Sequence, residues 1–146
     1  WTFYLLGGKG EVPKLAVDNV KKNYPNINIV GYHEGYFDKE SEEYVIAEIN
    51  RLEPNVLFVA MGAPLQEKWI AKHQHELKVD IAAGQGGTFD YEAGKIQRAP
   101  KVFQKLGIEW LWRLALQPSR FFRMLVLPIY LIKITFTKDI TKGKFD

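Results

Sequence analysis

The chain of 146 residues contains no cysteine, and this absence removes several classes of chemistry. Disulfide bonds, thiolate nucleophiles and cysteine-rich zinc sites are excluded. No Gly-Lys-Ser or Gly-Lys-Thr triplet occurs, so the Walker-type phosphate loop is absent as well. Gly8 and Gly10 match the first two glycines of a dinucleotide-binding fingerprint, but Pro13 stands where the third glycine would fall. Binding of a dinucleotide is therefore only weakly supported.

A long apolar run is also lacking. Residues 124–136 are apolar, but the run is too short for a bilayer and is interrupted by Pro128 and Lys133. We expect this segment to lie on a membrane rather than cross it, the alternative being an ordinary pair of core-packing helices. The chain begins inside an apolar strand pattern without an initiator Met, so we expect that upstream residues of the protein are missing.

Charge is distributed unevenly along the chain. Residues 1–96 hold 10 basic and 14 acidic side chains, a net charge of −4, whereas residues 97–146 hold 10 basic and 3 acidic ones, a net charge of +7. The C-terminal third is therefore expected to meet an anionic partner: a phosphate-bearing ligand, a membrane surface or nucleic acid. Nucleic acid is the least favoured of these, because the acidic first two thirds would be repelled.

Short apolar runs alternate with segments of helical spacing, which is typical of an α/β fold with a parallel sheet and flanking helices. The predicted strands are residues 3–6, 27–31, 56–60 and 81–83, and the predicted helices are 13–23, 41–52 and 64–77. Pro13 and Pro64 stand where first-turn prolines are tolerated. After residue 97 the sequence becomes aromatic and cationic, and Pro118 and Pro128 should divide this part into short helices.

Glycine-containing loops follow all four predicted strands, at the sheet edge where such folds bind ligands. Gly84, Gly86 and Gly87 allow backbone amides to approach a diphosphate, although a tight turn without a ligand is equally compatible with them. Gln66, in the first turn of the third helix, could face the crevice and hydrogen-bond sugar hydroxyls, or it could face solvent. Asp90 and Glu92 resemble a metal-diphosphate acid pair but are more often solvated or capping residues.

Five separated blocks, in order and over nearly the whole chain, carry a resemblance. They are FYLLGG at 3–8, GY at 31–32 with GYF at 35–37, MGAPLQE at 61–67, GGTFD at 86–90, and the stretch from RAP at 98–100 through EW at 109–110 to Arg123. On these blocks the chain resembles the WecG/TagA/CpsF glycosyltransferase family. Gln85 and Glu92 depart from it, because the resemblance leads us to expect apolar residues there.

The resemblance implies a two-part organisation. A partial Rossmann-like donor-binding domain is expected at residues 1–96, and a basic amphipathic helical appendage that completes the active site and contacts the membrane is expected at 97–146. The implied activity is inverting β-1,4 transfer of N-acetylmannosamine from its UDP donor to N-acetylglucosaminyl-diphospho-undecaprenol. This is a step of wall teichoic acid biosynthesis, carried out peripherally on the inner face of the cell membrane. No metal or other cofactor is expected.

The resemblance also implies roles for individual residues. Gln66, Arg113, Arg120 and Arg123 are the expected catalytic residues, with an aspartate base upstream of this chain. Arginine suits the departing diphosphate where no metal is present. The expected substrate-binding residues are Gly8, Gly62, Gly86, Gly87, Asp90 and Arg98.

Alternatives to this function remain open. One is a related enzyme that uses UDP-N-acetylmannosaminuronic acid or UDP-glucose, and another is a non-catalytic module that binds nucleotide or membrane. If the appendage covers the active site only on a membrane, the protein in solution is expected to self-associate through the apolar surface that is otherwise covered.

Overall fold

The computed structural model describes residues 1–97, 99–116 and 129 of the chain, with the side chain of Arg113 excepted. The chain divides into two compact units, Trp1–Gln97 and Arg98–Asp146. The first contains β1 (Thr2–Gly7), α1 (Val12–Asn23), β2 (Asn28–His33), α2 (Lys39–Leu52), β3 (Val56–Ala60), α3 (Leu65–His73), β4 (Ile81–Gly84) and α4 (Thr88–Glu92). The second contains α5 (Lys101–Lys105) and α6 (Glu109–Leu116).

The four strands form one parallel sheet in the order β2-β1-β3-β4. Leu5 of β1 is in register with Tyr32 on one side and Phe58 on the other, and Leu57 is in register with Ala82. The predicted α/β class with a Rossmann-like sheet is confirmed. Because the chain passes from β2 across β1 to β3, the strand order reverses between β1 and β3.

Alternating strand residues supply two cores, one on each face of the sheet. Tyr4 and Leu6 face α2 and α3, whereas Leu5 faces α1 and α4. The first core comprises Tyr4, Leu6, Val45, Ile46, Ile49, Leu57, Val59, Trp69 and Leu77. The second comprises Leu5, Val12, Ala16, Val17, Ile29, Ala60 and Phe89. Burial on both faces explains why the central strands read as continuous apolar runs.

The helix ends follow from local hydrogen bonding. Asp38 caps α2 by accepting a hydrogen bond from the Ser41 amide at 2.9 Å, and hydrogen bonds from Ser41 lower the pKa of Asp38. Pro13 lies in the first turn of α1 as predicted.

At α3 the structure differs from the prediction at both ends. Pro64 is the residue before the helix rather than in its first turn, because the Gly62 carbonyl accepts from the amides of Leu65 and Gln66. The helix ends at His73 instead of residue 77. Beyond His73 the chain forms a turn, in which the His73 carbonyl accepts hydrogen bonds from the amides of Glu76 and Leu77.

The second unit is described as far as Leu116, apart from Ile129. Gly107, with a φ of +69°, lies in the turn between α5 and α6, and the Phe103 and Trp112 rings lie 5.5 Å apart. The predicted helix boundaries at Pro118 and Pro128 lie outside the described residues. Within the described ranges, no helix combines the length and the apolar character that crossing a bilayer requires.

Candidate active site

The strand order predicts a ligand-binding crevice at the carboxyl ends of β1 and β3. These strands are neighbours whose ends are in register, Gly7 beside Ala60, yet the helices that follow them pack on opposite faces of the sheet. Loops that leave in opposite directions open a gap between them, and in open parallel sheets ligands bind at this reversal of strand order. We define the crevice by the loops of residues 7–11, 33–38 and 61–64, together with the glycine loop, residues 84–87.

The floor of the crevice is made of main chain. The Gly8 amide donates to the Ala60 carbonyl at 3.1 Å, and the Gly35 amide donates to the Gly8 carbonyl at 2.9 Å. Gly7 has a φ of +145°, and a Cβ there would lie 2.4 Å from the Ala60 oxygen. A Cβ on Gly35 would lie 2.9 Å from the Gly7 Cα. Side chains are sterically excluded at these positions, so the three loops meet backbone to backbone.

Lys9 and Glu34, which carry opposite charges, lie in the loops beside this floor. We call their positions, together with Tyr36, the rim of the crevice. Lys9 Nζ lies 6.0 Å from the centroid of the Tyr36 ring, which places the ammonium near an exposed aromatic face. The Gly10 amide donates to Glu34 Oε2 at 2.8 Å, and the imidazole of His33 lies with Nδ1 2.9 Å from the Glu34 carbonyl oxygen. The sequence alone gives no reason to assign a role to Lys9 or Glu34, because a single charged residue in a loop forms no motif.

Gln66 joins two of the loops. Its side chain is only 5% exposed, so the solvent-facing alternative is wrong. The Gly86 amide donates to Gln66 Oε1 at 2.8 Å, and Gln66 Nε2 donates to Glu67 Oε1 at 2.8 Å. The glutamine therefore ties the start of α3 to the glycine loop. Its predicted contact with sugar or acceptor stays a prediction.

The glycines predicted to bind substrate lie in the loops of the crevice. Gly8 has a φ of +74°, and a Cβ there would lie 2.6 Å from Val12 Cγ1. Gly62 and Gly86 also have positive φ, +82° and +58°, while Gly87 precedes α4 with a φ of −101°. A strained left-handed backbone explains why glycine is required at the first three. Substrate contact at these positions stays a prediction.

The remaining predicted site residues are described only in part. Asp90 is half-buried in α4, and its carbonyl accepts from the amides of Lys95 and Ile96 at 3.0 and 3.2 Å. Arg113 belongs to α6, but its side chain is outside the description. Arg98, Arg120 and Arg123 lie outside the described residues.

A polar cluster lies away from the crevice, between α2 and the end of α3. His73 is 4% exposed, with Nε2 lying 3.1 Å from Glu42 Oε1 and Nδ1 against Glu76. Lys72 Nζ donates to Glu42 Oε2 at 2.7 Å, and this hydrogen bond, helped by His73, lowers the pKa of Glu42. In the described part of the chain, no group of three or more histidine and acidic residues could hold a metal ion.

An apolar cavity of about 170 Å³ opens on the α1 and α4 face, away from the crevice floor. Its polar members include Gln85 and Glu92, the two positions at which the resemblance leads us to expect apolar side chains. The apolar lining comprises Phe3, Leu5, Ala16, Val20, Tyr24, Ile27, Ile29, Phe58 and Phe89. With few polar groups to orient a ligand, this cavity is a less suitable site for a sugar nucleotide than the crevice.

Comparison with known proteins adds to this geometry. Residues 1–144 match the family described as the glycosyl transferase WecG/TagA/CpsF family. The chain is 39% identical over 131 residues to an N-acetylglucosaminyldiphosphoundecaprenol N-acetyl-beta-D-mannosaminyltransferase of Bacillus subtilis (strain 168), covering 90% of this chain and 50% of that protein. It is 38% identical over 142 residues to a protein of the same name from Staphylococcus aureus (strain NCTC 8325 / PS 47), covering 97% and 55%. The chain thus spans about half the length of the curated relatives it matches.

Proposed function

Since the chain belongs to the WecG/TagA/CpsF glycosyltransferase family, we propose that it supplies the donor-binding half of an N-acetylmannosaminyltransferase. The donor is UDP-N-acetylmannosamine, and the acceptor is N-acetylglucosamine carried on undecaprenyl diphosphate. The observation that carries this proposal is the crevice of glycine loops at the reversal of strand order, in a chain similar to two proteins named for this transfer.

The donor diphosphate lies beside the glycine loops, where Gly10 and Gly86 have open space on their Cβ side and phosphate oxygens can come close to the main chain. Lys9 on the rim places a positive charge near those oxygens. The sugar then extends towards the start of α3, beside Gln66.

The transfer is a single displacement with inversion. The acceptor hydroxyl oxygen forms a bond to the anomeric carbon of N-acetylmannosamine while the bond from that carbon to the UDP oxygen breaks. The hydroxyl proton passes to a carboxylate base that we place outside this chain, and UDP leaves as the anion. Arg113, Arg120 and Arg123 stabilise the negative charge that develops on the diphosphate, because guanidinium groups bind phosphate oxygens in a bidentate manner.

The rest of the second unit carries the membrane role in this proposal. α6 presents Leu111 and Leu116 to solvent, and α5 presents Val102. Together with the net charge of +7 on residues 97–146, these apolar side chains suit the surface of an anionic bilayer that holds the lipid acceptor. The protein then works peripherally, on the inner face of the cell membrane.

The test is UDP release by the full-length protein that carries this chain, supplied with UDP-N-acetylmannosamine and the lipid-linked N-acetylglucosamine acceptor in anionic vesicles. We expect acceptor-dependent turnover that persists in EDTA and falls at least 100-fold in Arg113→Glu, because losing one preorganised charge at a developing anion costs about 10²–10³ in rate. Lys21→Glu, the same charge change at an exposed position of α1, is the control.

Two results would contradict the proposal. Turnover with UDP-glucose or UDP-N-acetylmannosaminuronic acid but not with UDP-N-acetylmannosamine would assign a different donor. Binding of UDP without turnover on any of these donors would indicate a non-catalytic nucleotide-binding module.

A further inference from the structure

We propose that Glu67 is a positioning residue, which holds the glycine loop in its ligand-binding shape by fixing the orientation of the Gln66 side-chain amide. The proposal rests on the function assigned to the crevice above. It gives a role to an exposed residue whose side chain accepts a hydrogen bond from the Gln66 amide.

The orientation of the Gln66 amide follows from its partners. A backbone N–H can only donate, so the group that faces the Gly86 amide at 2.8 Å must be the oxygen Oε1. Nε2 therefore points the other way, and there it meets Glu67 Oε1 at 2.8 Å. A carboxylate only accepts, so Glu67 favours this orientation over the one rotated by 180°.

The opposite orientation would break both contacts. It would turn Nε2 towards the Gly86 N–H, so that two donors face each other, and it would turn Oε1 towards the Glu67 carboxylate, so that two acceptors face each other. Gln66 is buried, and its amide has little water with which to replace these partners. The loop would then lose its anchor at Gly86.

The glycine loop is built around this amide. A Cβ on Gly84 would lie 2.6 Å from Gln66 Nε2, so a side chain at this position would displace the glutamine amide. Gly86 has the left-handed φ of +58° and turns its amide inward to Gln66. At the other end of the loop, the Gln85 amide donates to the Val59 carbonyl at 2.7 Å. The loop is thus held by hydrogen bonds within the protein, with Gln66 as its side-chain anchor.

The position of Glu67 on its helix suits this role. It lies in the first turn of α3, where the helix dipole favours a negative charge. The side chain is exposed, so its replacement leaves no cavity and the fold should be retained. Glu40, an exposed glutamate in the first turn of α2, shares the dipole effect and provides the matched control.

The experiment measures hydrogen exchange of individual backbone amides by NMR on the full-length protein without ligand. In Glu67→Ala we expect the Gly86 amide to exchange about tenfold faster, which corresponds to about 1.4 kcal/mol, while the Leu57 amide in β3 exchanges at the wild-type rate. Glu67→Gln retains an acceptor for Gln66 Nε2 and should bring Gly86 exchange back to within about threefold of wild type. Glu40→Ala should leave both amides unchanged.

Kinetic measurements with the UDP-sugar donor then test whether the shape of the glycine loop affects the reaction. We expect Glu67→Ala to lower kcat/KM for the UDP-sugar about tenfold, with Glu67→Gln intermediate. Unchanged Gly86 exchange in Glu67→Ala, or equal acceleration of Gly86 and Leu57, would overturn the proposal. Faster Gly86 exchange in a protein that binds no UDP-sugar even as wild type would leave the positioning role standing and remove the proposed function instead.

Discussion

The two faces of the sheet are packed differently, although they share the same strands. The face covered by α2 and α3 encloses Leu6 and Leu57 completely, and an open hollow lies at its β4 edge, beside Leu77 and Val79. The Tyr4 hydroxyl donates to Glu48 Oε2 at 2.7 Å, and burial with this hydrogen bond raises the pKa of Tyr4. The face covered by α1 and α4 retains the apolar cavity, against which the stacked rings of Phe3 and Phe58 lie 5.9 Å apart.

The difference shows that alternation along a strand decides only which side a residue faces, not how well that side is filled. Adjacent residues of β1 therefore lie in two differently packed environments within one molecule, and so do comparable positions of α1 and α2. Substitutions of the same kind on the two faces form matched pairs, because the host strand and the unfolded state are nearly the same.

The largest expected effect is the loss of stability when Leu6 is replaced by alanine, compared with the same replacement of Leu5. Leu6→Ala should lower the free energy of unfolding by about 4 kcal/mol, because it opens a new void in a closed core. Leu5→Ala should cost about 2.5 kcal/mol, because Leu5 already lines the cavity and its removal enlarges an existing space. Urea denaturation of both variants measures the difference. Equal costs would mean that the cavity side is as tightly packed as the other.

Adding volume should keep the same ranking of the two faces but change the sign of the effect on the cavity side. Val45→Leu, at a fully buried position of α2, should cost about 2 kcal/mol, because there is no room for another methylene. Val20→Leu, on α1 beside the cavity, should instead gain about 0.5 kcal/mol by filling part of it. Thermal unfolding of the two variants checks both signs. Destabilisation by Val20→Leu would show that the cavity walls cannot accept the larger side chain.

The smallest effect concerns the polar cluster of Glu42, Lys72 and His73 between α2 and α3, and it depends on pH. The pKa of Glu42 is lowered in the fold by Lys72 and His73 from an ordinary value of 4.5, so its contribution is present above that pH and is lost as the pH falls through the lowered pKa. Glu42→Gln should cost less than about 1 kcal/mol at pH 7, since Lys72 is largely exposed. The cost should shrink below pH 4.5.

Denaturation of Glu42→Gln and wild type from pH 7 to pH 3 tests this direction. Glu43→Gln, a neighbouring exposed position of α2, is the control for the loss of one charge. A cost of Glu42→Gln that grows on acidification would contradict the assignment.

Much of the fold could be predicted from the sequence because its signals are local. The strand runs were placed to within one or two residues, since β1 and β3 are buried on both faces and contain little else than apolar residues. The end of α3 was missed because it depends on a distant partner: His73 is buried against Glu42 of α2, and helical spacing alone contains no trace of that contact.

The candidate site was predictable to a different extent. Gly7 and Gly8 were recognisable, because backbone approach and left-handed φ both demand glycine. Glu67 was not, because a glutamate in a first helical turn has the composition of any solvated helix start, and its role becomes visible only with the Gln66 amide beside it. The roles of Arg113 and the other appendage arginines stay predictions.

The floor of the crevice has a consequence for how such a protein can change its substrate. At Gly7, which is buried, and at Gly35 the loops pack main chain against main chain, and any added side chain collides with Ala60 or with Gly7 itself. Substitution at these two positions would therefore disturb the packing of the loops before it changed any contact with a ligand. If the crevice holds the donor as proposed, differences between one sugar and another fall to the rim, where the exposed side chains of Lys9 and Tyr36 can be exchanged without disturbing the sheet beneath.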